Sequence, residues 1–178
     1  MSESSKNLEK FLDIEIPCRS TDGKTIMVSI GLLMQSKVFC SLYNNLDLAS
    51  MIANNELIEF PISTSAEMVE KAVKWMEINK GAPEPVIEEN LVTHERVWFK
   101  FTDEQKAFLD VSAGELTKLM KLSNFLDLKS LYLFSAQMMA ERIRNKSPEE
   151  IRNMLGLEDD LTEEEKAQIR RDNVWCNY

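Results

Sequence analysis

Two helix-start signatures near the C-terminus constrain this 178-residue chain more than any other feature. In the run S-P-E-E-I-R at 147–152, Ser147 can cap the free N–H groups of a first turn. Pro148 suits the first helical position, and Glu150 completes a capping box. Gly156 supplies a stop. Thr162 and Glu165 repeat the device, while Glu149, Glu163 and Glu164 put negative charge where the helix dipole favours it. The spacing predicts two short helices and then Trp175. A large aromatic side chain after a short terminal helix is unusual unless something covers it.

Upstream the pattern changes period. Ile14, Ile16 and Cys18 alternate, as do Ile26, Val28 and Ile30, and Thr21-Asp22-Gly23 between them predicts a β-hairpin turn. A helical turn is expected at 31–35, a short helix at 39–46 on Phe39, Leu42 and Tyr43, and a brief strand at 56–60 closed by Pro61. Ser65 should cap a helix to about 79, with Val69, Ala72, Val73 and Met76 inward and Gly81 as the stop. Residues 82–95 carry two prolines and several acids and read as an exposed loop. Thr102 or Asp103 opens a helix through 109, and Ser112 with Glu115 forms another capping box. After a break near Asp127, a helix to about 145 has two apolar stripes. Leu131, Phe134 and Met138 form one; Leu128, Tyr132, Met139 and Ile143 form the other. A helix apolar on two sides is either central or partly an interface. Strands followed by helices make this an α+β chain, with a small three-stranded sheet. Residues 1–13 look unpatterned and mobile.

Catalytic constellations are scarce. His94 is the only histidine, without metal-ligand spacing around it. There is no phosphate-cradling glycine loop and no nucleophile elbow. Cys40 lies near Lys37, which gives weak support for a reactive thiol; a small packing residue is the preferred reading. Neither an enzyme nor any cofactor or metal is expected. The net charge of −9 disfavours nucleic acid and anionic membranes as partners. No apolar run approaches a membrane span, and the polar first ten residues do not read as a secretory signal. Three widely spaced cysteines fit free thiols in a reducing compartment. Ten methionines suit either an adaptable apolar groove or core filling.

Several blocks together resemble the Skp1 family, adaptor subunits of SCF cullin–RING ubiquitin ligases. They are S-P-E-E-I-R-N at 147–153, L-T-E-E-E-K-A-Q-I-R at 161–170, N-V-W-C at 173–176, L-S-N-F-L-D-L-K-S-L at 122–131, the V-x-x-G-x-L of 111–116, S-T-D-G at 20–23 and Lys74-Trp75. The resemblance implies a BTB/POZ-like fold over 14–145, with an acidic loop at about 82–97, and a helical extension over 146–178. That extension argues against an elongin-C-like adaptor.

The resemblance further implies a non-catalytic adaptor, cytoplasmic and nuclear, that joins F-box substrate receptors to a cullin for ubiquitin-dependent degradation, with the RING subunit and E2 as indirect partners. The F-box face would comprise Leu116, Met120, Tyr132, Met139, Ile143, Leu155, Leu157, Leu161, Ile169 and Trp175. Partner-free, that face could instead close a homodimer. The cullin face would comprise Ser36, Val38, Phe39, Leu42, Asn124 and Phe125. Here the chain departs from the family: Val38, Phe39 and Cys40 stand where Thr, Ile and Lys are usual, and Phe125 where Tyr is. A scaffold that binds F-box proteins or itself without a cullin is therefore the alternative. Pro148 matches a position hydroxylated in some protist members, but the helix-starting reading is preferred. The stretch at 99–102 departs from the family pattern without a functional account.

Overall fold

A computed structural model describes residues 11–46, 48–54 and 59–175. The hairpin forms as its alternation requires. β1 (Glu15–Arg19) and β2 (Thr25–Ser29) pair antiparallel, with Ile16 opposite Val28 and Cys18 opposite Ile26. Ile16, Cys18 and Val28 point into the core. β3 (Phe60–Pro61) joins the free edge of β1 in parallel, giving the order β2-β1-β3. Pro17 has no N–H for a second neighbour, and the β1–β3 pairing starts only at Cys18. Of the strand expected at 56–60, residues 56–58 lie outside the described chain; the observed strand starts at Phe60 and includes Pro61.

Between the strands run α1 (Ile30–Leu33), α2 (Lys37–Asn45) and α3 (Leu48–Ala53), the last unanticipated. Residues 1–10 are outside the described chain, but 11–13 are not loose. Phe11 packs against the core, and the Leu12 carbonyl accepts from the Gly31 N–H at 2.8 Å. A side chain at Gly31 would bring its Cβ to 3.0 Å from that oxygen.

α4 (Ala66–Ile78) corrects the expectation for Ser65. Ser65 holds the N-cap position but its hydroxyl makes no cap bond. Asp22, in the hairpin turn, accepts from the Ala66 N–H at 3.0 Å. Its carboxyl is held below the usual range, first by the Ser20 hydroxyl and also by that N–H. Gly81, at φ 77°, follows the helix.

Residues 82–97 are exposed but not structureless, because β4 (Glu88–Glu89) and β5 (Arg96–Val97) form a separate ribbon. His94 lies at its tip, 3.4 Å from Glu89 and exposed. The stretch at 99–102 is pinned down. Gln137 accepts from the Phe99 N–H at 2.8 Å and donates to the Phe99 carbonyl at 2.9 Å. Phe99 stacks on Phe134 at 5.1 Å, and Phe101 meets the same ring edge-on at 5.3 Å. Trp75, fully buried, lies 5.7 Å from Phe134, and its indole N–H donates to the Ser130 hydroxyl at 3.0 Å.

The C-terminal half is helical: α5 (Asp103–Leu109), α6 (Ala113–Phe125), α7 (Lys129–Ile143), α8 (Pro148–Leu155) and α9 (Glu163–Asp172). The fold is thus α+β, a small three-stranded sheet with helices around it. α5 starts on a full Thr102–Gln105 capping box. At α6 the box is half made, since Ser112 accepts from the Glu115 N–H while the Glu115 carboxylate pairs with Lys71 of α4. Arg142 of α7 donates to the Leu109 carbonyl at 3.1 Å and to that of Val111, occupying acceptors that the end of α5 leaves open.

Candidate functional site: an apolar groove between three helices

α6 and α7 pack side by side, with Leu116, Leu119, Leu122, Leu131, Phe134 and Met138 buried. α7 is apolar on a second side as well, and α8 leans on α6 without covering that side. The result is an open groove of about 520 Å³, lined by Thr117, Met120, Lys121 and Asn124 of α6, Tyr132, Met139 and Ile143 of α7, and Ile151 and Leu155 of α8. α8 stands where its sequence puts it. Its Ser147–Glu150 capping box is complete, and Gly156 ends it at φ 67° with the Leu157 N–H bonded back to the Arg152 carbonyl at 2.9 Å. α9 begins on the matching Thr162–Glu165 box. Neither helix buries a residue. Lys166, held by Asp159 at 2.5 Å and Glu163 at 2.9 Å, and Arg152, 3.7 Å from Asp159, tie the 157–161 connection to its helices.

Of the ten residues expected on this face, Met120, Tyr132, Met139, Ile143 and Leu155 line the groove. Leu157 and Ile169 are exposed farther along the chain, Leu161 is half-buried, and Trp175 is 79% exposed. The indole is thus not folded back onto its own helices. Leu116 must also be corrected: it is fully buried among core side chains and cannot touch a partner. The sequence reading missed Ile151, Thr117 and Lys121. Residues 117, 120, 121 and 124 follow i, i+3, i+4, i+7 spacing, but a search for apolar residues passes over a stripe that is mostly polar.

The second expected face is smaller than its sequence positions suggest. Ser36 is buried, its hydroxyl donating to the Leu126 carbonyl at 2.5 Å and accepting from the Phe39 N–H at 3.1 Å. Phe39 is buried too, 5.4 Å from the Phe60 ring. One step along a helix turns a side chain by about 100°, so with Phe39 inward Val38 faces solvent. Asn124 lines the groove instead. That leaves Val38, half-buried Leu42 and exposed Phe125 near the junction of α2 with the α6–α7 turn. Close by, Glu84 bridges Lys37 at 3.2 Å and Lys129 at 3.5 Å, at the mouth of a recess of about 710 Å³. Lys37 first, then Lys129, holds the Glu84 carboxyl below its usual range.

Burial raises both described thiols. Cys18 is pushed up to about 12, and Cys40, whose Sγ lies 3.1 Å from the Met34 carbonyl, is also raised. Neither is set up as a nucleophile. Among the described residues no three His, Cys, Asp or Glu gather as a metal site, and no helix is long and apolar enough to cross a membrane.

The terminal helices have a pH-dependent weakness. The Glu150 carboxylate is held below its usual range first by the Ser147 N–H, Glu165 by the Thr162 N–H, and Asp159 by the Lys166 ammonium. A carboxyl whose pKa is depressed on folding gives stability that is present above its unfolded pKa, about 4, and lost as pH falls through the folded value. Acidification below about pH 4 is therefore expected to loosen α8 and α9 before the core. Hydrogen exchange from pH 6 to 3 would show protection over 147–172 falling ahead of that over α7. Equal loss in both regions would refute it.

The family profile described as "Skp1 family, dimerisation domain" matches residues 129–176, which hold α7, α8, α9 and Trp175. A "Skp1-related protein" of Caenorhabditis elegans is 29% identical over 177 residues, covering 99% of each chain. Proteins of Arthroderma benhamiae and Arthroderma otae, each described as "E3 ubiquitin ligase complex SCF subunit sconC", are 28% identical over 162 residues, covering 91% of this chain and 94% of each relative. Over residues 129–176 the chain is thus similar to the Skp1 family, and along nearly its whole length it is similar to a Skp1-related protein.

Proposed function

We propose that this protein is a non-catalytic adaptor of an SCF-type E3 ubiquitin ligase in the cytoplasm and nucleus. The groove of α6, α7 and α8, with exposed Leu157, Ile169 and Trp175 beyond it, receives the F-box of a substrate receptor. Val38, Leu42 and Phe125 contribute a second, smaller contact for the N-terminal region of a cullin. In this division of tasks residues 14–145 form the BTB/POZ-like body and 146–178 the extension that completes the F-box face. The cullin leads to the RING subunit and the E2, and the adaptor itself makes and breaks no bond.

One observation carries the reading: a chain of net charge −9 has an apolar groove on its surface and also leaves the Trp175 indole uncovered. A monomer gains nothing from such a surface unless a partner covers it. A competing reading, a scaffold that holds F-box proteins without a cullin, is favoured by the burial of Ser36 and Phe39, which shrinks the second contact. Paired co-purification separates the two. A ternary complex of this chain, an F-box protein and a cullin N-terminal domain supports the adaptor. An F-box complex that refuses the cullin supports the scaffold, and failure to bind any F-box protein removes both.

A further inference from the structure

The groove has two kinds of wall. α7 and α8 present only apolar residues and Tyr132, whereas three of the four lining residues on α6, Thr117, Lys121 and Asn124, are polar. Among the described residues of the lining, Lys121 carries the only charge. Its ammonium makes no ion pair with another described residue, while nearby Lys118 acts on Glu67, and Lys71 is taken by Glu67 and Glu115. All three walls are helical, so their backbone groups are engaged within the helices and no free strand edge lines the groove. An occupant must satisfy its own backbone, which an extended peptide cannot do there and a helix can.

Resting on the F-box reading of this groove, we infer that the α6 wall is a selectivity edge. Lys121 favours F-box partners whose groove-facing helix carries an Asp or Glu beside its apolar stripe, and disfavours those with Lys or Arg there. The apolar walls supply general attraction to any amphipathic helix. An unpaired ammonium at their border adds discrimination, because a like charge placed against it is left both repelled and partly desolvated. Such a contact at the rim of an open groove is sensitive to salt.

The test uses the full chain with a panel of F-box proteins that differ in charge at that flank. Affinities are measured for wild type, Lys121→Met and Lys121→Glu at low and physiological salt, with thermal melting as a check on folding. For partners with an acidic flank, Lys121→Glu is expected to weaken binding roughly tenfold and Lys121→Met roughly threefold, both effects shrinking with salt. Exchanging the partner's acid for Lys should restore binding to Lys121→Glu, the signature of a direct pair. Equal affinity of all three proteins for every partner overturns the inference and leaves the F-box reading standing. A wild type that binds no panel member overturns both. Self-association of the wild type that Lys121→Glu abolishes would assign the groove to a second copy and overturn the inference.

Discussion

Trp175→Ala is expected to weaken F-box protein binding by roughly 30-fold or more while leaving the melting temperature unchanged. The magnitude follows from the general behaviour of aromatic anchors at interfaces, whose truncation costs about 2–4 kcal/mol, with a tenfold loss for each 1.4 kcal/mol. The lack of a stability effect follows from the structure, since the indole is 79% exposed and α9 buries nothing. Calorimetric titration of an F-box protein, paired with thermal unfolding of the free chain, reads both halves. Normal binding by the variant would remove Trp175 from the face. A lowered melting temperature would show that the indole supports the fold rather than a partner.

The largest loss of stability is expected at the opposite extreme of exposure. The Phe134 ring is touched by Trp75, Phe99 and Phe101, and so joins α7 to α4 and to the segment after the ribbon. Phe134→Ala removes a buried ring and leaves a cavity that these neighbours cannot all close, at a cost of about 3–5 kcal/mol. That is a large share of the roughly 5–15 kcal/mol that holds a domain together. Urea unfolding should show a markedly lower midpoint with the slope retained. Because Trp98, half-exposed beside Arg96 and Arg144, sits next to Phe99, its fluorescence should also shift toward that of a solvent-exposed indole in the native baseline. A variant with an unchanged midpoint would mean that Trp75 and Phe108, 5.4 Å apart, hold α4 and α5 without Phe134.

Local rules were legible where the responsible residues are neighbours in sequence. The Ser147–Glu150 and Thr162–Glu165 boxes, the Gly156 stop and the Thr21-Asp22-Gly23 turn each involve a few adjacent residues, and the sequence pattern placed them correctly. Errors came where the decisive partner is remote. Ser65 loses its capping role to Asp22, 44 positions from Ala66. Glu115 leaves its own capping box for Lys71. Leu116 and Phe39 are apolar and lie on helices that carry candidate surfaces, but only packing decides which way each turns, and both turn inward. The groove itself was half visible. Its apolar wall on α7 appears as a second stripe, whereas its polar wall on α6 looks like an ordinary solvated face until α8 is placed beside it.

The grip of Gln137 on Phe99 has a consequence for how this chain tolerates change. The amide seizes both the N–H and the carbonyl of residue 99, so it reads the path of the main chain and is indifferent to the side chain carried there. The exposed tip of the β4–β5 ribbon, beyond the Glu84 bridge and before that grip, can therefore vary in length and composition without the helices beyond it losing their register. The turn at 90–94 is the natural point of insertion, a place where a tag or a foreign recognition loop can be carried at little expense to the body of the protein.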